Sequence, residues 1–445
     1  MSSSKPNAER SSKSQKQSVV NQAITGMKDI LPPESGQWQR LEEVFRSLFN
    51  RAGYQEIRLP LLEPTELFAR SIGGDTDIVG KEMYNFCDKS GENIALRPEG
   101  TASCVRAAIQ HQLLYNRGQL TQKLWYLGPM FRHEKPQKGR QRQFHQFGVE
   151  LFGFTGPVIE AELISLSFQL FKTLGLNEHL ELQINTLGAS ENRKEYRAAL
   201  CRYLEPLSDQ LDSDSQRRLG TNPLRILDSK NATTQSLLAN APKLHDFLDD
   251  ASRSHWENLL SILDRLEIPY KVNQRLVRGL DYYNDTVFEW TTDKLGAQGT
   301  LAAGGRYDGL VEQLGGRACP AFGFAAGLER ILLLMDQLGR APLNSSQPSL
   351  YLIGSRVDPS EVLLYADRIR HELPQLTLET HLGEGGLKSQ LKKADRSSAT
   401  HVLILGDAEL ADQAISIKPL RGQGDQVTIA QTQLSPYLKE TALVL

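Results

Sequence analysis

The chain has 445 residues, 40% hydrophobic and 23% charged, which is enough for two or three globular domains. No apolar run approaches the ~18 residues that a helical membrane span requires, so no membrane partner is expected. Lys and Arg number 51 against 53 Asp and Glu, so the net charge of −2 gives a nucleic-acid partner no support and only a local basic patch can do so.

Residues 1–18 are rich in Ser, Lys and Gln and read as a disordered tail, because they carry too little apolar surface to offset the entropy of ordering. They also lack the apolar face of an amphipathic transit helix. A long body, 19–340, follows. Trp38, Leu41, Val44, Phe45, Leu48 and Phe49 form a helical stripe that Gly53 ends. The next segment, Glu56 to Leu62, predicts a strand with Pro60 at an edge or bend. Further strands are expected at Asn93 to Leu96, Lys123 to Phe131 and Gln143 to Phe152. Ile159, Leu163, Leu166, Leu170 and Leu174 then mark a long amphipathic helix.

From about 190 to 265 the chain is charged, helical in pattern and without a chemical motif, and it reads as a helical insertion. Strand-like, glycine-rich sequence resumes from Tyr270 to Phe324, and a helix follows from about Leu328 to Leu338. A Pro/Ser/Asn linker at 341–348 precedes strands and short helices that alternate through 349–445, the pattern of a small α/β domain with a largely parallel sheet. Its cations Arg368, Arg370, Lys388, Lys392, Lys393 and Arg396 are, on composition alone, better explained by solvated helix faces than by a partner. The four cysteines, Cys87, Cys104, Cys201 and Cys319, are far apart. They offer neither a zinc cluster nor a disulfide framework, which fits a reducing compartment.

Six segments carry candidate chemistry. In the Gln143 to Phe152 strand, alternate residues share a face, so Gln146, Gly148 and Glu150 form a polar row suited to a small cation or hydrogen-bond donor. A solvent-facing strand side would look the same. Arg132, Lys135, Lys138, Arg140 and Arg142 sit in the hairpin loop just upstream, a density of cations that suits phosphates. Glu99 and Thr101 lie at a strand-to-helix junction, where they could hold an ammonium group, or where Thr101 could cap the helix. Arg278 stands beside Gly279 and the pair Tyr282 and Tyr283. Gly304 and Gly305, before Arg306, Tyr307 and Asp308, require close backbone approach, φ > 0 or a tight turn. Arg330 falls in the first turn of a helix, where dipole and guanidinium both favour anions.

Together, in this order, these segments resemble the histidyl-tRNA synthetase family of class II aminoacyl-tRNA synthetases. Phe131-Arg132-His133-Glu134 with Phe144 is similar to motif 2, and Gly327-Leu328-Glu329-Arg330 to motif 3. The segment from Trp38 to Pro60 is similar to the weaker motif 1. Leu276 to Tyr283 and Ala303 to Asp308 resemble the histidine-specific motifs. The resemblance runs from about Gly26 to the C-terminus. It implies an α+β fold: a six- or seven-stranded antiparallel sheet flanked by helices, with an α/β anticodon-binding domain at 349–445. It further implies ATP-dependent activation of L-histidine to an adenylate, with Mg²⁺ at the pyrophosphate, and transfer to histidine tRNA by a cytoplasmic homodimer.

By the same resemblance Arg278 and Arg132 are the catalytic cations. Histidine is held by Glu99, Thr101, Arg132, Gln146, Glu150, Arg278, Tyr282 and Tyr283. ATP is held by Arg132, Glu134, Arg140, Phe144 and Arg330. No residue is implied as a metal ligand. Two relatives with other roles share the pattern. One is a regulatory paralogue serving ATP phosphoribosyltransferase, which lacks the C-terminal domain and degrades the catalytic arginines. The other is an RNA-sensing domain fused to a kinase. This chain keeps Arg132, Arg278 and Arg330 and has no kinase segment.

Overall fold

A computed structural model describes residues 21–73, 76, 78–115, 121–280, 282–296, 299–340, 349–383, 385–397, 399–421 and 424–441. The expected tail, the linker at 341–348 and Asp281 lie outside the described residues. The chain divides into two compact units, 1–343 and 344–445.

The first unit is built on an eight-stranded sheet. Six strands run antiparallel in the spatial order Gln122–Phe131, Gln143–Phe152, Ala321–Gly327, Thr300–Arg306, Asn284–Thr291 and Glu181–Thr186. A short parallel strand closes each edge, Gln55–Glu56 on one side and Tyr270–Val272 on the other. The expected sheet of six or seven antiparallel strands is therefore extended to eight and made mixed. The edge strands are too short to show a period in sequence. The strand expected from Glu56 to Leu62 is also broken. Pro60 has no N–H to offer a ladder, and Arg97 instead collects the carbonyls of Leu59 and Pro60 with its guanidinium and that of Leu61 with its backbone N–H.

One face of this sheet packs on helices. Trp38, Leu41, Phe45 and Phe49 lie on one side of helix Glu34–Arg51, and Phe45 stacks on Phe147 with ring centroids 4.4 Å apart. Helix Pro157–Thr173 begins with a proline at its first turn, where the missing N–H costs nothing, and buries Ile159, Leu163, Leu166 and Leu170. Helix Asp250–Arg265 joins the same core through Trp256, Leu259 and Leu263. The segment read as an insertion thus divides. Residues up to Leu248 have their own small core around Tyr196, Leu200, Leu204 and Ile226, whereas the last helix belongs to the main body. Strand alternation puts Phe147, Val149 and Leu151 on the helix-packed face and turns Gln146, Gly148 and Glu150 to the other.

The second unit has a five-stranded sheet in the order Thr377–Thr380, Ser349–Ser355, His401–Gly406, Ala414–Pro419 and Val427–Ala430. The first three strands are parallel and the last two antiparallel, so the sheet is mixed where a largely parallel one was expected. Both faces are covered. Leu350 and Leu352 pack with helix Pro359–Glu372, while Tyr351 and Ile353 pack with Ala394 of helix Leu387–Arg396. The cations that looked clustered in sequence are therefore split. Arg368 and Arg370 lie over one face, and Lys388, Lys392, Lys393 and Arg396, all exposed, over the other.

Candidate active site

The open face of the larger sheet carries a cavity of about 180 Å³. Of the residues expected at the site, Glu99, Thr101, Arg132, Glu134, Arg140, Phe144, Gln146, Arg278, Tyr282, Tyr283 and Arg330 all line it. Glu150 does not. It sits one layer beneath, 1% exposed, where its carboxylate accepts hydrogen bonds from Thr101 Oγ1 (2.7 Å), Tyr126 Oη (3.1 Å) and Tyr307 Oη. A solvent-facing strand side is thereby excluded. Burial pushes the Glu150 carboxyl up to about 8, even though the three hydroxyls favour its charged form.

Gly148 is required by this arrangement. A Cβ there would come within 2.1 Å of Tyr126 Cζ, so only glycine lets the Tyr126 ring lie across the strand and reach Glu150. Gly304 likewise answers to close approach, its added Cβ meeting the Gly323 carbonyl at 2.1 Å across the neighbouring strand; neither a turn nor a positive φ is involved.

Glu99, rather than Thr101, supplies the helix cap. Its carboxylate accepts from the backbone N–H groups of Thr101 (2.6 Å) and Ala102 (2.8 Å), which frees the Thr101 hydroxyl to donate to Glu150. Burial raises the pKa of Glu99, with those amides and Arg132 opposing it.

The rim is cationic. Arg132 reaches from the start of the hairpin loop, donates from Nε to the Pro98 carbonyl (2.9 Å) and lies 5.2 Å above the Phe144 ring centroid. Arg140, from the far side of the same loop, pairs with Glu134 at 3.2 Å. Arg330, the third residue of helix Leu328–Gln337, donates to the carbonyls of Thr300 (2.7 Å) and Gly139 (3.2 Å). Burial lowers the pKa of Arg132 and of Arg330, and Arg140 and Arg132 lower that of Arg330 further. Guanidinium groups that disfavour one another in this way gain from an arriving anion.

Arg278 stands opposite. It pairs with Glu289 and lies 5.6 Å above the Tyr283 ring centroid. Burial is the largest influence and opposes its charge, but Glu289, Tyr283 and Tyr282 together outweigh it and hold its pKa above the ordinary guanidinium range. Glu289 Oε2 also accepts from Thr300 Oγ1 (3.1 Å). Three polar atoms in the lining, Arg140 Nε, Gln146 Oε1 and Arg278 Nε, are buried without a hydrogen-bond partner among the described residues. Buried polar atoms are normally satisfied, so these three point to a ligand.

Sequence reasoning missed Glu289, Tyr126 and, as an individual residue, Tyr307. Glu289 had one signal, an acid that interrupts the apolar run from Val287 to Trp290. Tyr126 had none, since an aromatic in a strand is ordinary.

A mixed sheet with an antiparallel centre, arginines from a hairpin loop and from a strand-to-helix junction, and no phosphate-binding glycine loop define a class II aminoacyl-tRNA synthetase. A family model described as Histidyl-tRNA synthetase matches residues 26–331, and one described as Anticodon binding domain matches residues 351–441. The apo histidyl-tRNA synthetase of S. aureus is 36% identical, with 94% of this chain covering 100% of that one at a TM-score of 0.78. A histidyl-tRNA synthetase from Nostoc sp. PCC 7120 shares the fold at 19% identity and a TM-score of 0.67, over 95% of this chain and 99% of that one. An ATP phosphoribosyltransferase regulatory subunit/histidyl-tRNA synthetase from Bacillus halodurans shares it at 20% identity and 0.60, over 86% and 98%. This chain belongs to the histidyl-tRNA synthetase family.

Proposed function

We infer that the chain is a histidine–tRNA ligase: it activates L-histidine with ATP, releases pyrophosphate and transfers histidine to the 3′ end of its tRNA. The observation that carries this is one cavity walled by Arg132, Arg140, Arg330 and Arg278 and floored by Gln146 and paired tyrosines. Adenylation is an in-line attack by the histidine carboxylate on the α-phosphorus, which gains negative charge on its equatorial oxygens. Fixed cations and positioning therefore matter more than a general base.

In this reading Arg132 and Arg278 bracket the reacting carboxylate and α-phosphate. Arg330 and Arg140 hold the outer phosphates, Glu134 takes the adenine amino group, and the adenine ring lies on Phe144. Glu99 and Thr101 receive the α-ammonium group, while Gln146, Tyr282 and Tyr283 surround the imidazole. Glu150 acts from below, by holding Thr101, Tyr126 and Tyr307 in place. An apolar competitor for histidine would leave Gln146 unsatisfied, and sites of that kind reject analogues by ~10⁴-fold or more.

Mg²⁺ neutralises the pyrophosphate leaving group when it is bound. Such ions take one or two carboxylates and leave the rest of the shell to phosphate and water. The described residues contain no group of three or more His, Cys, Asp or Glu that could hold a metal; an ion carried in with ATP would find Glu329 in the lining. No helix among the described residues is long and apolar enough to cross a membrane. A cytoplasmic homodimer, joined through the segment around helix Glu34–Arg51, completes the proposal. ATP–pyrophosphate exchange measured with each of the twenty amino acids tests it: histidine alone should support exchange. Exchange with another amino acid, or with none, overturns the reading.

A further inference from the structure

Arg193, Lys194 and Arg197 share helix Ser190–Leu204, and Arg225 lies in the helical turn Pro223–Asp228. With Arg278 they line a second cavity, of about 430 Å³, between the helical insertion and the segment that carries the paired tyrosines. No Asp or Glu is among its described lining residues. Two of the cations are fixed by backbone: Arg193 donates to the Tyr283 carbonyl, and Arg197 to the Thr221 carbonyl at 2.9 Å. Ser190, the first residue of its helix, also faces the cavity, so the positive end of a helix of 15 residues adds to the field.

Among the described residues, the neighbouring acids are already engaged. Asp285 acts on Arg193, and Glu289 pairs with Arg278. No carboxylate pairs with Lys194, Arg197 or Arg225 among the described residues. The Nε atoms of Arg193 and Arg278 are buried and lack hydrogen-bond partners among those residues. Like charges gathered in one concave wall repel unless a counter-charge arrives, and the concavity focuses their field on whatever anion does.

We propose that this cavity is a second ligand site, which binds a compact oligophosphate anion beside the reaction cavity. A single carboxylate would neutralise only one of the three cations left over, whereas an oligophosphate carries several charges at the spacing of neighbouring side chains. Guanidinium groups grip phosphate oxygens in pairs, and Lys194 adds a point charge. The two cavities share Arg278, Leu280 and Tyr283 and are otherwise separately lined.

Inorganic tripolyphosphate titrated calorimetrically into the full-length protein tests the site, with ATP saturating the reaction cavity and no histidine added. Tripolyphosphate should still bind, with an affinity that falls steeply as salt rises. The double variant Lys194→Gln/Arg225→Gln should lose at least tenfold in that affinity, and Lys194→Gln alone a smaller factor, while both keep wild-type ATP binding. Arg330→Gln, in the reaction cavity, should leave tripolyphosphate binding within about twofold. Equal affinity in the wild type and the double variant overturns the site, and so does a loss of affinity in Arg330→Gln as large as that in the double variant. A short single-stranded oligonucleotide forms the third arm: if it depends on Lys194 and Arg225 while tripolyphosphate does not bind, the cations belong to a nucleic-acid path and the proposal fails. A failure of the ligase reading would surface separately, in the ATP titration itself.

Discussion

Arg278 is held by a carboxylate and lies over an aromatic ring, so its guanidinium enters the proposed reaction already oriented. Arg278→Ala should lower kcat for histidine-dependent pyrophosphate exchange by ~10²–10³, the usual scale for one fixed transition-state contact, with smaller changes in KM for ATP and histidine. Glu289→Gln should lower kcat less, because it loosens the cation without removing it. Exchange in Arg278→Ala within a few-fold of wild type would move the chemistry elsewhere. Glu150 gives a second residue-scale expectation. Its carboxyl titrates at about 8 in the folded protein against 4.5 ordinarily, so between those values the native state binds more protons than the unfolded state. Stability contributed at this site is then lost progressively as pH rises from about 4.5 to 8. Glu150→Gln should flatten that part of the pH–stability profile in denaturant melts and raise KM for histidine more than for ATP. An unchanged profile and an unchanged KM would detach Glu150 from the site. In the sequence the polar row Gln146, Gly148 and Glu150 was legible because strand period fixes which residues share a face. That Glu150 lies beneath the floor was not, because depth depends on Tyr126, from a neighbouring strand, and Tyr307, just past the end of strand Thr300–Arg306.

At the scale of elements, the hairpin from Gln122–Phe131 to Gln143–Phe152 does most to shape the site. Its register pairs Phe131 with Gln143, which fixes residues 132–142 as the loop and delivers Arg132 and Arg140 from its two ends. This much was readable from two apolar runs bracketing a basic stretch. Short edge strands were not readable, since two or three residues cannot display a period of two, and the strand expected around Pro60 failed because the proline withdraws a ladder donor. Gly148→Ala tests the packing argument. The new methyl would overlap the Tyr126 ring, so the expected cost is ~1–3 kcal/mol in denaturant unfolding, together with weakened histidine binding as Tyr126 leaves Glu150. The same substitution at Gly80, where an added Cβ meets nothing within 4 Å, is the control and should change neither.

Across the whole molecule the chemistry is confined to one unit. Every residue assigned to the reaction cavity precedes residue 331, and each unit buries its own apolar clusters, so neither depends on the other for a core. The split between 343 and 344 falls inside the Pro/Ser/Asn stretch that the sequence reads as a linker. The mixed character of the second sheet was not legible, because Ala414–Pro419 turns antiparallel to His401–Gly406 across one short helix, Asp407–Ala411, too brief to tell a crossover from a return. Ending the chain near Ser346 should therefore leave a folded body that still exchanges pyrophosphate with histidine at close to the wild-type rate. Charging of histidine tRNA by that body should fall sharply, because residues 351–441, which match an anticodon-binding domain, are gone. Within the lost unit, exposed Lys388, Lys392, Lys393 and Arg396 lie on or at the end of a single helix and are the cations placed to meet a phosphate backbone. If they do, replacing Lys388, Lys392 and Lys393 by Gln in the full chain should weaken tRNA binding and reduce its salt dependence by roughly one counterion per contact removed. Full charging by the truncated body would break the link between this unit and tRNA; an unchanged salt slope in the triple variant would leave the link and remove only this helix from it.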